Sequence, residues 1–319
     1  MKPLYQITPR IIELISSISE KIGEVNAAYL YKPPTQLRKK NRIKTIQSSL
    51  EIEGNSLSLD QVTAILDNKR IIAPKKDILE VKNAIKAYEN LDRYDPTSLT
   101  SFCKAHATLM SGLIENAGKI RTKSVGIIKG VTITHIAPPG DVVKSLVKYL
   151  FDYLKKDKDL LLLKSCVFHY EIEFIHPFMD GNGRIGRLWQ TVILRQYSPV
   201  FEFLPIESLI KIKQSEYYRI LGESDNKGDS TGFIEFMLLI INESLEELLT
   251  NQNVNLTSKD RITIFKEKIG KSLFNRKDYL RHFKDISTAT ASRDLRLAVD
   301  GGLLEKTGDK RTTFYKFKK

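Results

Sequence analysis

The chain has 319 residues, 41% of them hydrophobic, with 51 Lys and Arg against 38 Asp and Glu and a formal net charge of +13. That apolar share suits a soluble globular protein of two domains, or of one large domain with an appendage. No apolar run reaches membrane-spanning length, the N-terminus lacks the apolar stretch of a secretory signal, and two cysteines, Cys103 and Cys166, build neither a disulfide framework nor a structural zinc site.

A cytoplasmic protein with reduced core thiols is therefore expected. Most of the positive excess falls late, since Lys259–Lys319 carries 17 basic and 8 acidic residues. A polyanion such as nucleic acid is the natural partner to test for that segment.

In chain order, the first ninety or so residues read as helical. "PPTQ" at Pro33 suits a helix start, with Thr35 as cap. Ile43, Ile46 and Leu50 then recur at helical spacing until Gly54 stops them. Basic "LRKKNRIK" at Leu37–Lys44 reads as a solvated face. A second helix starts near Ser58, and a third after Asp95 or Thr97. Arg121–Ile136 is rich in β-branched residues and breaks at Lys129–Gly130, which predicts one hairpin. Helices resume at Asp141 and continue over Leu160–Ile175, Ile185–Tyr197, Leu209–Gly222 and Thr231–Leu249. Polar "TNQNVNLTSKD" at Thr250–Asp260 predicts a linker. Beyond it, Asn275 caps one short helix and Ser287 or Thr288 another. Ala291, Leu295, Ala298 and Val299 share a face, and a hairpin closes the chain. That order predicts a winged helix–turn–helix, with Thr290, Arg293 and Arg296 on the outer side of its recognition helix and Lys310 and Arg311 at the wing tip. The domains expected are residues 1–95, 96–250 and 251–319, in a mainly α chain.

The stretch "HPFMDGNGRIGR", His176–Arg187, concentrates the chemistry. Pro177 ends the preceding helix. "GNG" lets successive N–H groups point one way ahead of a helix expected at Ile185, which makes a phosphate-binding nest. Arg184 and Arg187 lie three residues apart on that helix's first turn, and guanidinium groups suit phosphate oxygens. Asp180 is a carboxylate beside such a nest, the usual protein ligand for Mg²⁺ on a polyphosphate. His176 is a base that titrates near neutrality. The set describes attack by a hydroxyl on a phosphate held by a nest, arginines and a metal.

The stretch resembles the signature of Fic-domain proteins, "HPFx(D/E)GNGRxxR", at every specified position. The resemblance implies a compact helical fold and a protein adenylyltransferase, which moves AMP from ATP to a hydroxyl of a target protein. It assigns His176 as general base and Asp180 as the Mg²⁺ ligand. Gly181, Asn182 and Gly183 would cradle the phosphates, Arg184 and Arg187 would contact the phosphate chain, and Phe178 would anchor the loop. The hairpin near Val125–Ile136 lies where the family has a flap that registers the target by adding a strand. "SEYYRILGESDNKGD" is similar to the segment walling the adenine site, with Tyr217, Tyr218 and Asp225 or Asn226 as candidates. Paired tyrosines on a helix more often pack in a core than stack on a base. Ser49-x-x-x-Glu53-Gly54 is similar to the family's inhibitory motif, so Glu53 would pair with Arg187 and exclude the γ-phosphate, with Ser49 supporting it. Taken alone, a carboxylate at a helix C-terminus is merely unfavourable.

The partner classes to test are a target protein at the hairpin, DNA at the C-terminal domain and a second copy of the chain; a membrane is not among them. A different reading keeps the pocket as a nucleotide sensor and makes the chain a DNA-binding transcriptional regulator, but sensing needs no base at His176. A third keeps the enzyme and changes the donor, or lets it remove AMP.

Overall fold

A computed structural model of the protein describes residues 3–27, 35–124, 126–129, 132–250, 256–270, 272–283, 286–309 and 312–318. The expected Pro33 start, Val125, the Gly130 turn, residues 251–255 of the linker, and Lys310 and Arg311 lie outside those residues. The chain divides into two compact units, Met1–Tyr31 with Arg38–Thr250, and Lys32–Leu37 with Asn251–Lys319.

Unit 1 is built from helices α1 (Pro9–Ala27), α2 (Thr35–Ile52), α3 (Leu59–Leu66), α4 (Lys75–Glu89), α5 (Leu99–Leu109), α6 (Gly140–Lys156), α7 (Leu161–Ile175), α8 (Asn182–Leu194), α9 (Ile206–Ile212), α10 (Gln214–Lys227) and α11 (Thr231–Thr250). Between α5 and α6 runs an antiparallel hairpin, β1 (Gly126–Lys129) and β2 (Thr132–Ile136), whose register shifts between Ile127 and Ile128. Every residue of α8 is buried. A helix apolar or buried on all sides belongs at the centre of a layered fold, and α7 is the element packed most closely against it. The core beside this pair is aromatic. Phe102 of α5 lies 5.1–5.7 Å, ring to ring, from Phe151, Phe168, Phe178 and Trp189. Trp189 is fully buried, and its indole N–H donates to Pro96 O at 3.1 Å.

Several expected boundaries move for identifiable reasons. Ser58 caps α3 in a reciprocal capping box with Gln61, as its position suggested. Ser98, rather than Asp95 or Thr97, caps α5, because Asp95 instead closes a local turn by accepting from Thr97 N at 2.9 Å. The helix placed at Leu209–Gly222 is two helices broken at Lys213. The basic face of α2 is only half solvated. Lys39 and Lys40 are exposed, whereas Arg42 donates to Glu202 at 3.0 Å and to Tyr88 O at 2.9 Å.

Unit 2 contains α12 (Ser258–Ile269), α13 (Arg276–His282), α14 (Thr288–Asp300) and a hairpin of β3 (Leu304–Thr307) and β4 (Phe314–Phe317). Thr257, Asn275 and Ser287 cap the three helices. Phe265 packs its ring 4.8 Å from Phe274 and 4.9 Å from Tyr279. Ala291, Leu295 and Ala298 are buried, and so is Asp294, which the apolar pattern did not single out. Arg261 grips it bidentately at 2.6 and 2.9 Å, and Tyr279 adds a hydroxyl at 3.1 Å. Burial would raise the Asp294 pKa, but Arg261, Ser258 and Tyr279 together outweigh it and the carboxyl is held low. Arg293 and Arg296 are exposed and Thr290 half-buried.

Among the described residues no helix is long and apolar enough to cross a membrane. Because Phe102 touches four other rings, Phe102→Ala should lower unfolding free energy by about 3–5 kcal/mol, read from urea titration by circular dichroism.

Candidate active site

Helix α7 ends at Ile175, and His176 turns the chain with a left-handed backbone, φ 50° and ψ 62°. Glycine is the usual residue there. In its place the imidazole Nδ1 sits 3.2 Å from Glu173 O, so Nε2 is the ring nitrogen pointed away from the helix end. Pro177 follows, and Phe178 drops into the core with its ring stacked on His106 at 3.6 Å and 8°. Asn182 then locks the loop from the far side. Its Oδ1 accepts from Phe178 N at 2.8 Å, and its Nδ2 donates to Phe178 O at 2.9 Å.

The new helix starts earlier than the sequence suggested, at Asn182 and not Ile185, with Gly181 as N-cap at φ +80°. A side chain there would be strained by that angle, and its Cβ would meet Met110 Sδ at 2.6 Å. Two members of the predicted nest, Asn182 and Gly183, therefore lie within the first helical turn. Their N–H groups, with that of Arg184, precede the first intrahelical bond, Ile185 N to Gly181 O at 3.0 Å. They are the orphan donors of a helix N-terminus, with the positive end of the dipole behind them. The side chain of Asn182 is committed to Phe178, which leaves its main chain for an anion.

The two arginines take different partners. Arg184 donates to Glu80 at 2.9 Å and to Asp180 Oδ1 at 2.9 Å. Asp180 Oδ1 also accepts from Gly181 N at 2.6 Å. Glu80 is buried and uses its second oxygen on Asn55 Nδ2 at 2.8 Å. Arg187, only 2% exposed, donates from Nε to Ser49 Oγ at 3.1 Å, and from one terminal nitrogen to Ser49 O at 2.9 Å and Glu53 Oε1 at 2.7 Å. The sequence pair Ser49–Glu53 and the loop arginine are thus joined across more than 130 residues. Burial alone would lower the Arg187 pKa, yet Glu53, Tyr217 and Glu173 together outweigh it and the net shift is upward. Glu53 also approaches the loop so closely that a Cβ on Gly183 would stand 2.4 Å from its Oε1.

Tyr217 is 1% exposed. Its hydroxyl lies 3.1 Å from His169 Nε2 and donates to Glu173 at 3.3 Å. It belongs to the core, and Tyr218, half-buried at its side, is the member of the pair with an accessible edge. Asp225 accepts from Tyr170 at 3.0 Å, and Asn226 is exposed. Glu173 was not singled out from sequence. Burial would raise its pKa, but His169, Arg187 and His176 together hold it low. His106 was also missed. Its Nδ1 accepts from Gly118 N at 2.9 Å and its Nε2–H donates to Asp180 O at 2.9 Å, and burial first of all depresses its pKa to about 4. A further buried acid, Glu207, lies behind Ser49. Tyr88 donates to it at 3.0 Å and also hydrogen-bonds the Ser49 side chain. Burial pushes Glu207 up to about 7.

A metal would find one carboxylate here. Among the described residues no group of three or more His, Cys, Asp or Glu is arranged to hold an ion. That is no obstacle to Mg²⁺, which keeps several waters and takes one or two carboxylates together with substrate phosphates. Asp180 has its hydrogen bonds on Oδ1 and its side chain is 51% exposed, so it fits that role.

A model of the Fic/DOC family matches residues 96–194. The crystal structure of a Fic family protein from Desulfovibrio desulfuricans G20 is 38% identical, superposes with a TM-score of 0.76, and is covered over 98% of its length by 100% of this chain. The protein adenylyltransferase Fic of Nematostella vectensis is 27% identical over 267 residues, 77% of this chain and 59% of that protein. A probable protein adenylyltransferase of Aquifex aeolicus is 31% identical over 153 residues, 46% of this chain and 45% of its own. The chain spans about half the length of these curated relatives.

The raised Glu207 gives a pH test. The fold favours its protonated form, so its contribution is full below about 4.5 and is lost as pH rises through about 7. Wild type should lose roughly 2–3 kcal/mol more stability between pH 5 and 8 than Glu207→Gln, as urea titrations at the two pH values would read.

Proposed function

The chain belongs to the Fic family, and from that premise we propose that it is a protein adenylyltransferase, transferring AMP from ATP to a hydroxyl of a protein and restrained by Glu53. The observation that carries this reading is the convergence on one loop of His176, Asp180, the α8 N-terminus and Arg187. The names of the relatives agree with it.

The residues divide the work. N–H groups at the start of α8 and the guanidinium groups of Arg184 and Arg187 hold phosphate oxygens. Asp180 would hold Mg²⁺, which neutralises charge on the triphosphate when bound. His176 Nε2 accepts the proton of the incoming hydroxyl as its oxygen bonds to the α-phosphorus. The bond from that phosphorus to the bridging oxygen breaks, and pyrophosphate leaves. Tyr218 stands at the nucleoside end. The hairpin β1–β2 offers strand edges to a target segment.

Glu53 opposes this by occupying Arg187. A buried guanidinium satisfied at 2.7 Å by a carboxylate exchanges that partner for phosphate only when the carboxylate is displaced. The Glu80–Asn55 bond holds the chain just beyond Glu53 in place.

A second role is favoured by unit 2. Its helix order suits a winged helix–turn–helix, and exposed Arg293 and Arg296 lie on the helix that would enter a groove. Duplex DNA is the partner we assign it, and the full chain should bind with an affinity that falls steeply with salt.

Incubated with ATP and Mg²⁺, Glu53→Gly should gain AMP-sized mass at least about tenfold faster than wild type, by intact mass. The double variant with His176→Ala should show no gain. Equal rates in wild type and Glu53→Gly would remove the restraint from the proposal. Arg293→Ala with Arg296→Ala should weaken duplex binding about tenfold or more and flatten its salt dependence, measured by fluorescence anisotropy.

A further inference from the structure

Arg121 lies outside the loop motif, a few residues before the hairpin, yet it donates to the main chain of Ile175, His176 and Pro177. It is 3% exposed. Its Nε donates to His176 O at 2.7 Å and one terminal nitrogen to Lys123 O at 2.7 Å. The other terminal nitrogen donates to Pro138 O at 2.8 Å and Ile175 O at 3.0 Å. Its main-chain N–H donates to Pro177 O at 2.9 Å. The side-chain acceptors are all main-chain carbonyls, and they belong to three segments. Ile175 and His176 are the end of α7, Lys123 leads into β1, and Pro138 leads out of β2.

Each set of contacts has a physical reason. The last carbonyls of a helix have no intrahelical donor, and a cation there is favoured by the dipole. Arg121 supplies both, at the residue whose backbone is left-handed without being glycine. The stems of the hairpin meet at the same place. A Cβ on Gly140 would lie 2.2 Å from Thr122 O and 2.7 Å from Lys123 N, so the two stems touch through a position only glycine fills. A planar guanidinium with five donors spans these carbonyls; an ammonium with three cannot reach them in the same geometry.

We infer that Arg121 is a positioning residue that couples the β1–β2 hairpin to the backbone of His176, so that a segment aligned on the hairpin stands at a fixed distance from the imidazole. Its kinetic consequence rests on the adenylyl-transfer reading; the coupling itself does not.

The test uses the full chain carrying Glu53→Gly as parent, with Arg121→Met and Arg121→Lys added in turn. Three measurements are made: affinity for ATP with Mg²⁺ by calorimetry, amide hydrogen exchange, and steady-state self-modification. Arg121 touches none of the groups assigned to phosphate, so affinity should stay within about twofold of the parent. Amides of 126–129, 132–136 and 176–178 should exchange about tenfold faster or more in Arg121→Met, while those of α5 and α8 keep the parent's rates. The kcat should fall about 100-fold with KM for ATP little changed, and Arg121→Lys should fall less. Exchange that stays at the parent's rate in hairpin and loop overturns the coupling, whatever the activity. Loss of nucleotide binding in both variants, with exchange raised throughout unit 1, also overturns it, because Arg121 would then be a general structural tie. If Arg121→Met does not fold, Arg121→Lys decides by the same criteria. A parent that transfers no AMP defeats the functional reading alone, and the exchange and affinity measurements still decide the coupling.

Discussion

The structure of unit 1 depends on how one buried cation is satisfied. Arg187 sits on a helix whose every residue is buried, and a guanidinium in that position has to find acceptors or destabilise the fold. It finds them on α2, in the hydroxyl and carbonyl of Ser49 and the carboxylate of Glu53. The N-terminal helices are therefore tied to the centre of the fold by the same group that the proposed function assigns to phosphate. Under that proposal, stability and restraint would share one contact.

A second layer of polar groups supports this pair. Ser49 is met from behind by Tyr88, and Tyr88 by Glu207. Glu80 holds Arg184 with one oxygen and Asn55 with the other. These bonds satisfy most of the buried polar atoms that low-dielectric surroundings penalise, with Arg184 Nε and Glu207 Oε2 left without a hydrogen-bond partner. The two arginines of the loop are thus held by separate carboxylates, Arg184 by Glu80 and Asp180 and Arg187 by Glu53, and the segment from Ser49 to Asn55 touches both arrangements. Movement of that segment would loosen both arginines together.

The loop was legible in sequence because its groups are local: imidazole, carboxylate, glycines and arginines fall within twelve residues. The contact of Ser49 and Glu53 with Arg187 was legible only through resemblance, since nothing in the spacing of the two residues says that their acceptors face Arg187 across the fold. Helix periodicity located most of unit 1, and caps at Ser58, Asn275 and Ser287 were readable from side-chain chemistry. The start of α8 was displaced by three residues because glycine and asparagine are poor helix formers in isolation, while the Asn182–Phe178 bonds and tertiary packing hold them helical. Arg121, His106, Glu80 and Glu173 carried no signal. Each is an ordinary polar residue on an amphipathic or irregular stretch, and its role arises from partners 55 to 104 positions away, or from a neighbour on its own helix.

Trp189 is the chain's single tryptophan, and it lies in the aromatic core against α5, about two helical turns after the N-cap Gly181. Selective excitation of indole therefore reports on unit 1 alone, while unit 2, which has only tyrosine and phenylalanine, stays dark at that wavelength. The molecule carries its own optical label, and melting of its two halves can be told apart without attaching a dye.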